Sequence, residues 1–174
     1  MLTESHAGDY NAGQFCGGME MAVLASFIRL SREDLSDLAS AVTGDDPQGL
    51  ADFLAANGTA VVEFEGNAEI FEVLLPVLAE DYDIDLETSE NAIVADLAEA
   101  SEALVFILTP AEQGKYLDDL DPDSFDEDEL NEAYQDFMDE EADDAGAAML
   151  AGIGAIHQAL QEVDADHVVV VTVG

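Results

Sequence analysis

The segment HVVVVTVG (167–174) decides the fold. Its apolar residues fall on both parities of a two-residue period, so neither face of an extended strand here is polar. A strand of that kind is buried on both sides, which predicts that the end of the chain lies in the middle of a sheet under helical cover.

Working outward, AVLASFIRL (22–30) reads as a second buried strand and ALVFIL (103–108) as a third. TAVVEFE (59–65) instead alternates, with Val62 and Phe64 on one side and Glu63 and Glu65 on the other, the pattern of a half-exposed strand.

Helical spacing fills the intervals. Ser31 is the expected N-cap of a helix that carries Glu33 and Asp34 in its first turn, buries Leu35, Leu38 and Val42, and stops at Gly44. A short helix is expected over 47–56, with Leu50, Phe53 and Leu54 inward. From Asn67 the stripe Ile70, Val73, Leu74, Val77 and Leu78 marks another, with a kink or an early end near Leu75 because Pro76 lies inside it. Residues 90–101 supply Ile93, Val94 and Leu97. Thr109 and Pro110 form a cap with proline at N1. Leu130, Tyr134, Phe137 and Met138 keep helical spacing through the acidic stretch 118–144, which reads as an amphipathic helix with a solvated face. Met149, Ile153, Ile156 and Leu160 mark a helix over 145–162, where Gly152 and Gly154 allow close packing. The fold class predicted is α+β: a mixed sheet with apolar N-terminal and C-terminal strands, covered by several helices. Residues 1–18 hold four glycines and no apolar period. They are read as a flexible leader, with Met19 or Met21 as an alternative start, ahead of a single domain over 19–174.

Charge sets the solvent. The chain has 174 residues, 41 Asp plus Glu and 3 Lys plus Arg, for a formal net charge of −38, yet 49% of it is hydrophobic. Acidic disordered chains lack the apolar residues to offset ordering entropy; this one does not. The expected habitat is therefore a cytoplasm of very high salt, where the Debye length falls from about 10 Å near 0.1 M to about 3 Å at 1 M. The acidity opposes nucleic-acid binding, which depends on Lys and Arg displacing phosphate counterions, and opposes docking on anionic membranes. The N-terminus lacks the basic n-region of a signal peptide, and no apolar run reaches the roughly 18 residues of a span. The expected location is cytoplasmic.

Few residues carry chemistry. Asp119 to Asp128 and Asp81 to Asp85 invite a calcium-loop reading, but such a loop needs glycine sixth and glutamate twelfth. Ser124 and Leu130 occupy those places in the first, Leu86 and Ala92 in the second. No metal or cofactor is expected. Cys16 is the only cysteine and lies in acidic surroundings that disfavour a thiolate. Arg29 and Arg32, at a strand-to-helix junction, are candidates for holding an anion; internal pairing with carboxylates is the plainer reading. His157 at the edge of an apolar helical stripe and His167 before the last strand are the histidines that an enzyme would use.

GGMEMAVLASFIRLSREDLSDL (17–38), EFEGNAEIFEVLLPVL (63–78), FILTPAEQGKYLDDL (106–120) and HVVVVTVG (167–174), in that order, resemble the YfbM-like family of uncharacterised proteins. The resemblance implies a small α+β domain and a start at Met19 or Met21, and it implies no activity. The expectation is a binding or interaction module whose partner is a small anionic ligand or a second copy of the chain. The alternative is a small hydrolase-type enzyme using carboxylates with His157 or His167. Whether the chain is an enzyme is open at this level.

Self-repulsion of this magnitude opposes compaction unless it is screened. The protein should unfold cooperatively in molar KCl and lose much of its thermal stability near 0.1 M. Equal unfolding midpoints at the two salt concentrations would contradict the high-salt reading.

Overall fold

A computed structural model describes residues 24–42, 49–88, 92–100 and 104–174. The expected leader, both alternative start methionines, Cys16 and Gly44 lie outside these residues. Among the described residues four strands form the sheet: β1 (Ala25–Ser31), β2 (Thr59–Glu63), β3 (Leu104–Leu108) and β4 (His167–Val173). Their order is β2-β1-β4-β3, so the C-terminal strand is central, as its valines require. Val168, Val169, Val170 and Val171 are each 0% exposed. Full burial is worth about 1.5–3 kcal/mol per such side chain, so these four together rival the roughly 5–15 kcal/mol net stability of a typical domain.

The pleat sends alternate residues into two cores. Phe27, Phe106, Val169 and Val171 face α3 (Ile70–Asp81) and α7 (Ala145–Gln161), with α6 (Glu127–Met138) contributing Leu130. Leu30, Val105, Ile107, Val168 and Val170 face α1 (Leu35–Val42), α2 (Gly49–Asn57) and α4 (Ala92–Ala100) through Leu35, Leu38, Leu54 and Leu97. A further helix, α5 (Pro110–Tyr116), follows β3 directly. The architecture is α+β, with helices on both faces of one sheet.

The expected mixed sheet is corrected. Each of the three pairings, β1 with β2, β1 with β4 and β3 with β4, is antiparallel. A lone crossover helix returns the chain parallel to the strand it left. Here two helices, α1 and α2, separate β1 from β2, and three, α5, α6 and α7, separate β3 from β4, so neither connection is a lone crossover helix.

The early end expected at Pro76 is also corrected, because α3 runs on to Asp81. An interior proline costs about 3 kcal/mol. Beyond it, Val77 and Leu78 are 3% and 0% exposed, and their burial at about 1.5–3 kcal/mol each offsets that cost. Ser31 ends β1 and precedes a 3-10 turn, Arg32–Asp34, without a side-chain capping bond. The acidic stretch does form a helix, α6, whose cap is Asp126: its carboxylate accepts from the N–H groups of Asp128 and Glu129. Leu130 is buried and Tyr134 half-buried, while Phe137 and Met138 are exposed.

Gly146, near the start of α7, sits where a Cβ would collide with the carbonyl oxygen of Glu127 and crowd Asn131. The Asn131 side chain meanwhile accepts from the Gly146 N–H at 3.2 Å. At Gly152 a Cβ would meet the tip of Leu74 at 2.7 Å, and at Gly114 it would meet nothing. A side-chain tip can move and a helix carbonyl cannot. Gly146→Ala should therefore cost about 1–3 kcal/mol in denaturant unfolding and Gly152→Ala less. Gly114→Ala should stabilise by about 0.5–1 kcal/mol.

Candidate functional site

The strand order places two polar features around the N-terminal end of β4. β1 and β3 flank β4 and both run antiparallel to it. They are therefore parallel to each other, and their carboxyl ends open at the same edge of the sheet. The residues that follow them, Arg32 after β1 and Thr109 after β3, stand on either side of the start of β4.

The first feature is an ion-pair cluster. Ser31 and His167 are register partners at one end of the β1–β4 ladder, and Arg29 lies opposite Val169. Asp164, in the turn before β4, accepts from Arg29 Nη2 at 2.7 Å and lies 2.9 Å from His167 Nδ1. In the tautomer that donates Nδ1–H to the Asp164 carboxylate, the 3.3 Å approach of Arg29 Nη2 to the same nitrogen is a contact between donors. The hydrogen bond from His167, a second from the Asp166 N–H and the Arg29 guanidinium together hold the Asp164 carboxyl below its ordinary value, at about 2. Arg29 and Asp164 side chains are 32% and 48% exposed, so solvent screens the pair. Arg29 Nε is buried and has no partner among the described residues.

The second feature is a cavity of about 560 Å³, within the roughly 300–1,000 Å³ of small-molecule sites. Arg32 and Lys115 both line it. Leu35, Val168 and Tyr116 are buried residues of its wall, while both cations are exposed at its rim. The Lys115 ammonium stands 4.8 Å from the centre of the Tyr116 ring, a cation–π distance. The Tyr116 hydroxyl accepts from the Asp85 N–H at 3.4 Å, which ties the 85–88 segment to α5. That helix starts as it does because the Glu112 carboxylate accepts from the Thr109 N–H at 2.9 Å and from the Thr109 hydroxyl, a variant of the capping box. At its other side, Gln113 Nε2 donates to the carbonyls of Leu160 and Val163 at 2.8 and 2.6 Å, fixing α5 against the end of α7.

The residues singled out in the sequence thus separate. Arg29 and His167 meet at Asp164; Arg32 lines the cavity with Lys115. His157 is half-buried on α7. Lys115, Asp85, Glu112 and Tyr116 were not singled out as site residues. The scarcity of cations is the signal for Lys115, and Thr-Pro-Ala-Glu (109–112) is the signal for the turn that carries it. Among the described residues no three His, Cys, Asp or Glu side chains group closely enough to hold a metal ion, and no helix is long and apolar enough to cross a membrane. Comparison with protein families, with characterised proteins and with solved structures gives no match to this chain.

A carboxyl whose folded pKa is depressed contributes stability above its unfolded value, near 4, and loses that contribution as pH falls to about 2. Asp164→Asn should therefore be less stable than the parent at neutral pH. The two unfolding midpoints, measured in molar KCl, should converge as pH drops through that window. A constant difference between them at every pH would show that the aspartate acts by packing instead of charge.

Proposed function

We propose that this chain is a salt-adapted cytoplasmic binding module that holds a small anionic ligand in the cavity between Arg32 and Lys115. The observation that carries the reading is the distribution of cations. The chain has 3 basic residues among 41 acids, and two of them, from separate parts of the sequence, line one cavity. A guanidinium offers a planar fork of donors and an ammonium a compact charge. A cleft with low-dielectric walls concentrates the field of both. The Thr109 and Thr88 side chains add polar groups to the same wall. The YfbM-like resemblance brings no chemistry to this reading.

Ligand linkage provides the test. In molar KCl, phosphate or acetate should raise the thermal midpoint more than KCl added to the same ionic strength. A ligand at 100 times its dissociation constant stabilises by about 2.7 kcal/mol. Arg32→Gln and Lys115→Gln should each remove the increment with little change in baseline stability. Arg29→Gln should keep the increment and lower the baseline slightly, because its partner Asp164 is solvent-exposed. If no anion acts beyond its ionic strength, the reading falls.

One contact favours a second reading, a small hydrolase-type enzyme. Asp164 orients the His167 ring as a base is oriented in acid–base catalysis. Against it, the cavity lined by Arg32 and Lys115 does not include His167, and the cluster serves equally as a clamp on the end of the β1–β4 ladder. Ester hydrolysis by the protein that is lost in His167→Asn would favour the enzyme.

A further inference from the structure

A second cavity, of about 550 Å³, is lined by the starts of α3 and α7 and the end of α6 and shares no lining residue with the first. Its volume is also that of a small-molecule site. Two observations set it apart. Phe137 and Met138 line it at 46% and 40% exposed, and with Leu24 they are the large apolar side chains that stand in solvent among the described residues. Tyr134, also in the lining, precedes them by three and four residues on α6, so it neighbours both on the helix surface. Exposed apolar groups gathered at one place mark a binding surface, whereas scattered ones do not. The second observation is charge. Glu69, Glu72, Asp143 and Asp144 line the same cavity, and no Arg or Lys does. Glu69 and Asp144 are the N-caps of α3 and α7, yet neither carboxylate bonds to its own helix. Glu69 accepts from the Asn67 side chain at 3.0 Å. Glu72, Asp143 and Asp144 side chains have no hydrogen bond or ion pair among the described residues.

A helix N-terminus carries about half a positive charge, so two of them offset only part of four carboxylates, and the occupant that complements the lining is a cation. A metal ion does not fit, since among the described residues no three His, Cys, Asp or Glu side chains group closely enough to hold one. Salt narrows the choice further. With a Debye length of about 3 Å near 1 M, the carboxylates act on a ligand only at contact, and potassium competes with any cation that brings nothing else. Attraction of a cation to an aromatic ring and contact with a thioether are short-ranged and add what potassium cannot gain. We propose that this cavity binds a small organic cation with an alkylated ammonium, its alkyl groups against Tyr134, Phe137 and Met138 and its charge met by the surrounding carboxylates. The site is independent of the anion cavity at Arg32, and either can fail without the other.

The test uses the full chain in molar KCl, with binding followed by calorimetry and thermal shift. Choline is the probe. It is compared with 3,3-dimethylbutan-1-ol, which has the same shape without the charge, and with ethanolamine, which has the charge without the methyl groups. Choline should raise the unfolding midpoint more than KCl added to the same ionic strength, and should bind about threefold or more tightly than either analogue. Phe137→Leu leaves an apolar side chain at an exposed position, so the fold is retained; it should weaken choline about threefold, and Phe137→Tyr, which restores a ring, should not. Glu72→Gln should weaken choline, whereas Asp37→Asn, which removes the same charge from the exposed face of α1 on the other side of the sheet, should leave it unchanged, as should Arg32→Gln. The proposal is overturned if choline does not bind, or if the neutral alcohol binds as well, since charge then plays no part. It is equally overturned if ethanolamine binds as well, or if Glu72→Gln and Asp37→Asn act alike, because the acidity of the whole surface then accounts for the effect.

Discussion

Burial of β4 on both faces is the constraint on which the rest depends. A strand with four consecutive fully buried valines needs a hydrogen-bonded neighbour along each edge and a helical layer on each side. Backbone groups taken out of water must be paired, and β1 and β3 pair them. Because both neighbours run opposite to β4, their carboxyl ends emerge together beside its first residues. The ion-pair cluster and the cavity are both consequences of that meeting point: Arg29, His167 and Asp164 gather around the turn that leads into β4, and Arg32, Val168 and α5 enclose the space next to it.

The electrostatic economy of the molecule makes those positions informative. With 41 carboxylates in the chain, a basic side chain anywhere on the surface has acids to meet, and exposed pairs of that sort contribute little. Arg29 follows this pattern at Asp164. Arg32 and Lys115, one just after β1 and the other in the helix after β3, line one cavity together with buried apolar residues. Their convergence requires the capped start of α5, the contact of Tyr116 with the 85–88 segment, and Gln113 bound to the carbonyls at the end of α7.

Packing shows where local preference yields. Pro76 predicts a kink or an early end of α3, yet the helix runs on to Asp81, with Val77 and Leu78 buried beyond the proline. The acidic stretch reads as solvated surface, and α6 is so on its outer face, but Leu130 anchors it and the absence of a side chain at Gly146 brings the start of α7 against its first turn. Close approach at Gly152 was visible in the sequence. At Gly146 it was not, since the helix expected over 145–162 contains that glycine but no local pattern records that α6 packs against it.

Residue order by itself determined a good deal. It specified the buried central strand, the alternating edge strand β2, the inward stripe of α7, the proline-led start of α5 and the α+β class. These follow from local periodicity, which is written in neighbouring residues. Strand direction was beyond it, since that depends on how many times the chain reverses between strands. The site was beyond it for a related reason. Arg32 and Lys115 lie far apart in sequence, and no local pattern records that their strands flank the same third strand. Arg29 and Arg32, close in sequence, looked like one site, but only the tertiary structure decided that the first is held by Asp164 and that the second lines a cavity with Lys115.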